Sequence, residues 1–208
     1  MKTTPQYLLE NVSSFPNEPA FSIRNKQGQW ETDSWNDFYH QVLEISKSLI
    51  AYGIEKNDKV SIYSYNRKEW NASYLATQFV NGVAVGVYHT CSSSEVDWIV
   101  GNSESKVVFI GNNPNDNNEN EKMPNHRLLA VLDNLENVEV VVTMQGVDKL
   151  DHPKIISWEK FISKGADSIA TFSAILDGCL CGVGVYVIFS GAEAFKVALR
   201  ISLLIVSF

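Results

Sequence analysis

Apolar and polar positions along the chain change their spacing in a regular way. Residues 5–14 (PQYLLENVSS) predict a short helix with Tyr7, Leu8, Leu9 and Val12 on its apolar side. Residues 21–24 and 29–32 flank Asn25-Lys26-Gln27-Gly28, and two short strands around a Gly-containing turn predict a hairpin. Ser34 can then cap a helix, because its hydroxyl accepts from the free N–H groups of the first turn. Trp35, Phe38, Tyr39, Val42, Ile45 and Leu49 recur at helical spacing and give that helix one buried face. Gly53 is its expected stop.

From residue 59 the period alternates between strand and helix. Residues 59–64 (KVSIYS), 82–88 (GVAVGVY), 106–110 (KVVFI) and 138–143 (VEVVVT) predict strands. Asn66 with Glu69 forms an expected capping pair for a helix through Trp70, Tyr74, Leu75 and Phe79. Ser92 with Glu95 forms an S-x-x-E box before Val96, Trp98, Ile99 and Val100. Residues 128–135 predict a third helix, and residues 112–125, rich in Asn, Glu and Pro, a solvated loop. Strands alternating with helices argue for an α/β fold: a partial, doubly wound, mostly parallel sheet with flanking helices.

Composition divides the chain in two. Residues 1–172 mix charge, aromatics and short apolar runs. Residues 173–208 form an apolar tail whose charges are Asp177, Glu193, Lys196 and Arg200. Its uncharged stretch, residues 178–192, is shorter than the roughly 20 apolar residues of a membrane span. Three cysteines, Cys91, Cys179 and Cys181, make no paired framework and fit a reducing, cytoplasmic compartment. The net charge of -7 argues against nucleic acid as a partner, which would need clustered Lys and Arg.

Four segments carry a resemblance in order. Residues 53–70 (GIEKNDKVSIYSYNRKEW) end in N-R-x-E-W, and residues 82–95 (GVAVGVYHTCSSSE) contain Y-x-T and the capping box. The Trp35 helix precedes Gly53-Ile54, and residues 103–109 read SESKVVF. Together they resemble the amino-terminal part of AMP-forming long-chain acyl-CoA synthetases. The resemblance implies fatty acid, ATP, Mg²⁺ and CoA as substrates and cofactors. A carboxylate would become an acyl-adenylate with loss of pyrophosphate, and a CoA thiol would then attack it.

In that family an Asp-x-x-Ala-Thr strand leads into a Gly/Ser/Thr/Lys loop that holds the β- and γ-phosphates. Residues 167–172 (DSIATF) resemble the approach, but residues 173–179 (SAILDGC) do not continue it. The chain is therefore expected to be a truncated fragment, inactive alone and holding neither cofactor nor metal. A change of reading frame near Phe172 would account for the tail. A non-catalytic acyl- or CoA-binding remnant and a membrane-associated product are the alternatives. A sheet cut before its remaining strands is expected to leave an open apolar edge and an uncovered face, favouring self-association.

The candidate site is Tyr88, His89 and Thr90, at the carboxyl end of a strand where open α/β sheets bind ligands. The resemblance places the equivalent loop near the CoA pantetheine channel; a plain strand-to-helix turn with a surface histidine is the other reading. His40, His126 and His152 lack companions at metal spacing. Trp35, Trp70 and Trp98 are expected to anchor the core.

Overall fold

The computed structural model describes residues 2–25, 27–112, 123–144 and 150–166. The expected phosphate-loop approach, the whole apolar tail and the middle of the Asn-rich loop lie outside the described residues.

The chain opens with α1 (Thr4–Ser14), capped by Thr3, whose hydroxyl accepts from Gln6 N–H while the Gln6 side chain accepts from Thr3 N–H. Leu8 is buried, but Tyr7 is exposed and does not share its apolar side. The expected hairpin forms between β1 (Pro19–Arg24) and β2 (Trp30–Ser34), paired antiparallel. Asn25 Oδ1 accepts from the N–H groups of Gln27 and Gln29 and closes the turn, with Gly28 at φ +79.

Ser34 caps α2 (Trp35–Ala51) in a reciprocal box with Asp37, and Phe38, Val42, Ile45 and Leu49 are buried as their spacing requires. The chain leaves this helix through Gly53 at φ +79, a conformation open to glycine at no steric cost.

Five parallel strands follow. They are β3 (Lys59–Ser64), β4 (Val83–Val87), β5 (Val107–Gly111), β6 (Val140–Thr143) and β7 (Ile155–Ser157), in the spatial order β4-β3-β5-β6-β7. Between them run α3 (Lys68–Phe79), α4 (Ser93–Asn102), α5 (Pro124–Leu129) and a 3₁₀ turn at Leu132–Asn134, and α6 (Trp158–Ala166) follows β7. Because successive strand residues point to opposite faces, one set packs on α1, α2, α3 and α6: Val60, Ile62, Val107, Phe109, Val140 and Val142. The alternate set packs on α4, α5 and the 3₁₀ turn: Tyr63, Val108, Ile110 and Val141. Both faces are thus covered, contrary to the expected bare face. Among the described residues β4 ends one side of the sheet, carries no charge or proline, and leaves Val83 46% exposed, as the expected open edge requires.

Three further expectations are corrected. Asn66 and Glu69 do not cap α3. Its N-cap is Arg67, which makes no side-chain cap bond, because Glu69 is drawn into a two-pronged pair with the Arg67 guanidinium at 2.9 and 3.0 Å. The predicted helix over residues 128–135 is split between α5 and the 3₁₀ turn. Leu128, Leu132 and Leu135 are all buried, so their spacing reports burial rather than one continuous helix. Trp98 is 68% exposed rather than a core anchor. Val96 and Val100 of α4 are buried, and a residue two positions from each lies about 200° away around the helix.

Candidate functional site

The strand order reverses at β3. The chain steps from β3 to β4 on one side and then crosses back to β5 on the other, which leaves a switch point at the carboxyl ends of these strands, where open α/β sheets bind ligands. Gly111, the last residue of β5, faces Ser64, the last of β3, in register. A Cβ on Gly111 would collide with the Ser64 hydroxyl and lie 3.0 Å from both Ser64 Cβ and Met144 Sδ. Absence of a side chain there lets the strand ends close together.

The three sequence-predicted residues sit at this end, just past β4. Tyr88 is 67% exposed, His89 is half-buried and Thr90 is exposed. Parallel register pairs Tyr63 with Val87, so two residues further on Tyr65 meets His89. Their ring centroids lie 4.1 Å apart, and the Tyr88 ring centroid lies 4.6 Å from that of the same imidazole. The result is a run of rings, Tyr65–His89–Tyr88, along the carboxyl edge. Thr90 joins no ring contact.

The next residue is fixed from two directions. The Cys91 carbonyl accepts from Tyr63 Oη at 3.0 Å and from Arg127 Nη1 at 2.7 Å, reaching across from α5. Burial pushes the Tyr63 phenol above its ordinary value, and the Arg127 guanidinium opposes that rise. Ser92 then starts α4 with the expected box: its hydroxyl accepts from Glu95 N–H, and the Glu95 carboxylate accepts from Ser92 N–H at 2.7 Å. The bonds that the carboxylate accepts from the Ser92 N–H and the Ser92 hydroxyl hold the Glu95 carboxyl below its ordinary range.

Sequence reasoning missed Tyr63, Tyr65 and Arg127. The parallel register of β3 and β4 was the signal that could have found Tyr65. Arg127 had none, since it follows the Asn-rich loop and its partner lies 36 residues earlier. The sequence also gave no warning of a recess of about 200 Å³ where α2, α3 and α6 meet, lined by Gln41, Glu44, Lys68, Glu69, Ala72 and Trp158. Most of its charge is already engaged: Lys68 pairs with Asp33 at 2.6 Å, and Arg67 with Glu69. His40 is exposed, His126 half-buried on α5, and His152 pairs with Asp133 at 3.2 Å.

The strand-end cluster offers ring faces, hydroxyls and an imidazole. It brings together neither a pair of carboxylates nor a nucleophile with its base. Among the described residues no three His, Cys, Asp or Glu side chains gather in a group able to hold a metal ion, and no helix is long and apolar enough to cross a membrane.

Residues 8–171 match the family model described as AMP-binding enzyme. The chain is 27% identical over 166 residues to the Xenopus laevis long-chain-fatty-acid–CoA ligase ACSBG2, a match covering 79% of this chain and 21% of that protein. It is 24% identical to the Arabidopsis thaliana long chain acyl-CoA synthetase 4, covering 74% of this chain and 24% of that one. The chain thus spans between a fifth and a quarter of these relatives' length. Among solved structures, coronafacic acid ligase from Pectobacterium brasiliense superposes with a TM-score of 0.65 at 19% identity, over 78% of this chain and 29% of that one. Acetoacetyl-CoA synthetase from Streptomyces lividans gives 0.65 at 18%, over 76% and 24%. At these identities the superpositions establish a shared fold.

Proposed function

Because the chain belongs to the AMP-binding enzyme family, we propose that it forms the amino-terminal portion of a long-chain fatty acid–CoA ligase, with Tyr88, His89 and Thr90 on the CoA side. The carrying observation is that residues 8–171 match the family model, while the described residues share the fold of coronafacic acid ligase and acetoacetyl-CoA synthetase. In the complete reaction, ATP and Mg²⁺ supply the energy and charge neutralisation for acyl-adenylate formation, and the CoA thiol displaces AMP.

The described residues do not fit a nucleotide–metal centre. Among the described residues the carboxyl edge carries rings, a threonine and an arginine bound to a carbonyl, and no glycine-rich loop that would point successive N–H groups at phosphates. Residues 173–179 (SAILDGC) do not continue the family's phosphate loop, and on that sequence we propose that this chain carries out no adenylation of its own. The role its geometry supports is to build one wall of the CoA entrance. The ring run, poor in reactive groups, equally favours a non-catalytic CoA-binding product of the same lineage, in a cytoplasmic setting.

ATP–pyrophosphate exchange with a long-chain fatty acid tests the assignment. No exchange above background is expected, and measurable exchange overturns it. Calorimetric titration with CoA tests the binding role, for which saturable binding is expected. A flat titration at millimolar CoA refutes it.

A further inference from the structure

The loop after β4 has to keep its shape while standing at the open edge of the sheet. Its own sequence, Tyr-His-Thr-Cys, contains no proline to stiffen it. Three residues from other elements hold it instead. Tyr65, the first residue after β3, sets its ring 4.1 Å from that of His89, with an interplanar angle of 32°. Arg127, on α5, donates to the carbonyl of Cys91 at 2.7 Å, and Tyr63 donates to the same oxygen. Between these tethers lie His89, Thr90 and Cys91.

We infer that Tyr65 and Arg127 are positioning residues that pre-form the Tyr88–His89–Thr90 loop for CoA; the inference rests on the proposed CoA-side role of that loop. Neither residue need touch the ligand. A loop ordered before binding avoids part of the cost of immobilising its side chains on association. The ring of Tyr65 makes the contact with His89, so phenylalanine should replace it and leucine should not. At Arg127 a guanidinium N–H donates to a backbone carbonyl 36 residues earlier in the chain, and glutamine offers only a shorter, neutral donor.

Two readouts on the whole chain, both taken well below its melting temperature, test this: the CoA dissociation constant by calorimetry, and the His89 ring-proton chemical shifts by NMR. Tyr65→Phe should bind within about twofold of the parent and keep the His89 shifts. Tyr65→Leu should lose the ring-current displacement of those signals and bind CoA about 3- to 10-fold more weakly, the range set by one aromatic pair. Arg127→Gln should weaken CoA to a similar degree and broaden or move the His89 signals. If Tyr65→Leu moves the His89 signals but leaves CoA affinity within twofold, the positioning role is overturned while the CoA-side role stands. A parent chain that binds no CoA overturns the CoA-side role and the inference with it. Unchanged His89 signals in Tyr65→Leu overturn the inference alone.

Discussion

Two helical glycines should respond to alanine with opposite signs. Gly165 lies near the end of α6, where that helix crosses α2. A Cβ there would sit 2.6 Å from Ser48 N and 2.9 Å from Ser48 Cα, besides striking the Ser48 hydroxyl. The hydroxyl can rotate away, but the backbone cannot, so the helices must separate. Overpacking of this kind costs about 1–3 kcal/mol, and a backbone obstacle belongs near the upper end. The intrinsic helix preference of alanine over glycine returns at most about 1 kcal/mol. Gly165→Ala should therefore destabilise by about 1–2 kcal/mol. Gly101, in α4, has Leu135 Cδ2 at 3.5 Å as its nearest neighbour, an ordinary contact. Gly101→Ala should stabilise by about 0.4–1 kcal/mol. Urea unfolding of both variants beside the parent gives the signs directly, provided the slope with denaturant is unchanged. A Gly165→Ala protein as stable as the parent would refute the close approach of α6 to α2.

Replacing Ser34 by alanine removes one half of the box that opens α2 and should cost about 1 kcal/mol in the same urea assay. Trp98→Ala should change stability by less than about 0.5 kcal/mol despite the size of the side chain, whereas Phe38→Ala should cost about 3–5 kcal/mol, because only Phe38 is buried. Burial alone would push the Glu69 carboxyl up, but the hydrogen bonds and charge of Arg67 outweigh it and hold it below its ordinary value. A depressed carboxyl contributes stability that is complete above the unfolded-state value near 4.5 and fades as pH falls through the folded one. Arg67→Leu should thus lower stability at neutral pH and make its loss shallower as pH falls below the ordinary carboxyl value of 4.5; parallel acid limbs in parent and variant would count against the pair.

The sheet was legible because each of its first four strands is a short apolar run bounded by polar or turn residues. The capped starts at Ser34 and Ser92 were legible because a capping box is local. What escaped was settled by distant partners. β7 is only Ile155–Ser157, and it is a strand because β6 presents Val141–Thr143 to pair with it. α6 carries Trp158, Phe161, Ile162 and Gly165 at helical spacing, a pattern legible in principle but crowded by the Lys and Glu between them. Asn66 and Glu69 had the right spacing for a cap, but Arg67 between them was a stronger partner for the carboxylate than a backbone N–H. At the candidate site, Tyr88, His89 and Thr90 could be placed at a strand end from sequence. The companions that shape them come from β3 and α5, and parallel neighbours in a sheet need not be neighbours in the chain.

The order β4-β3-β5-β6-β7 also dictates a timetable for the growing polypeptide. The first strand made, β3, ends in the interior of the sheet and gains its two neighbours only after Gly111 has been synthesised. α2 waits longer still: Phe161 and the rest of α6 complete the cover over its apolar side, and these are among the last of the described residues to leave the ribosome. For that interval a greasy helix stays bare, a window in which chaperone capture or clumping competes with productive collapse.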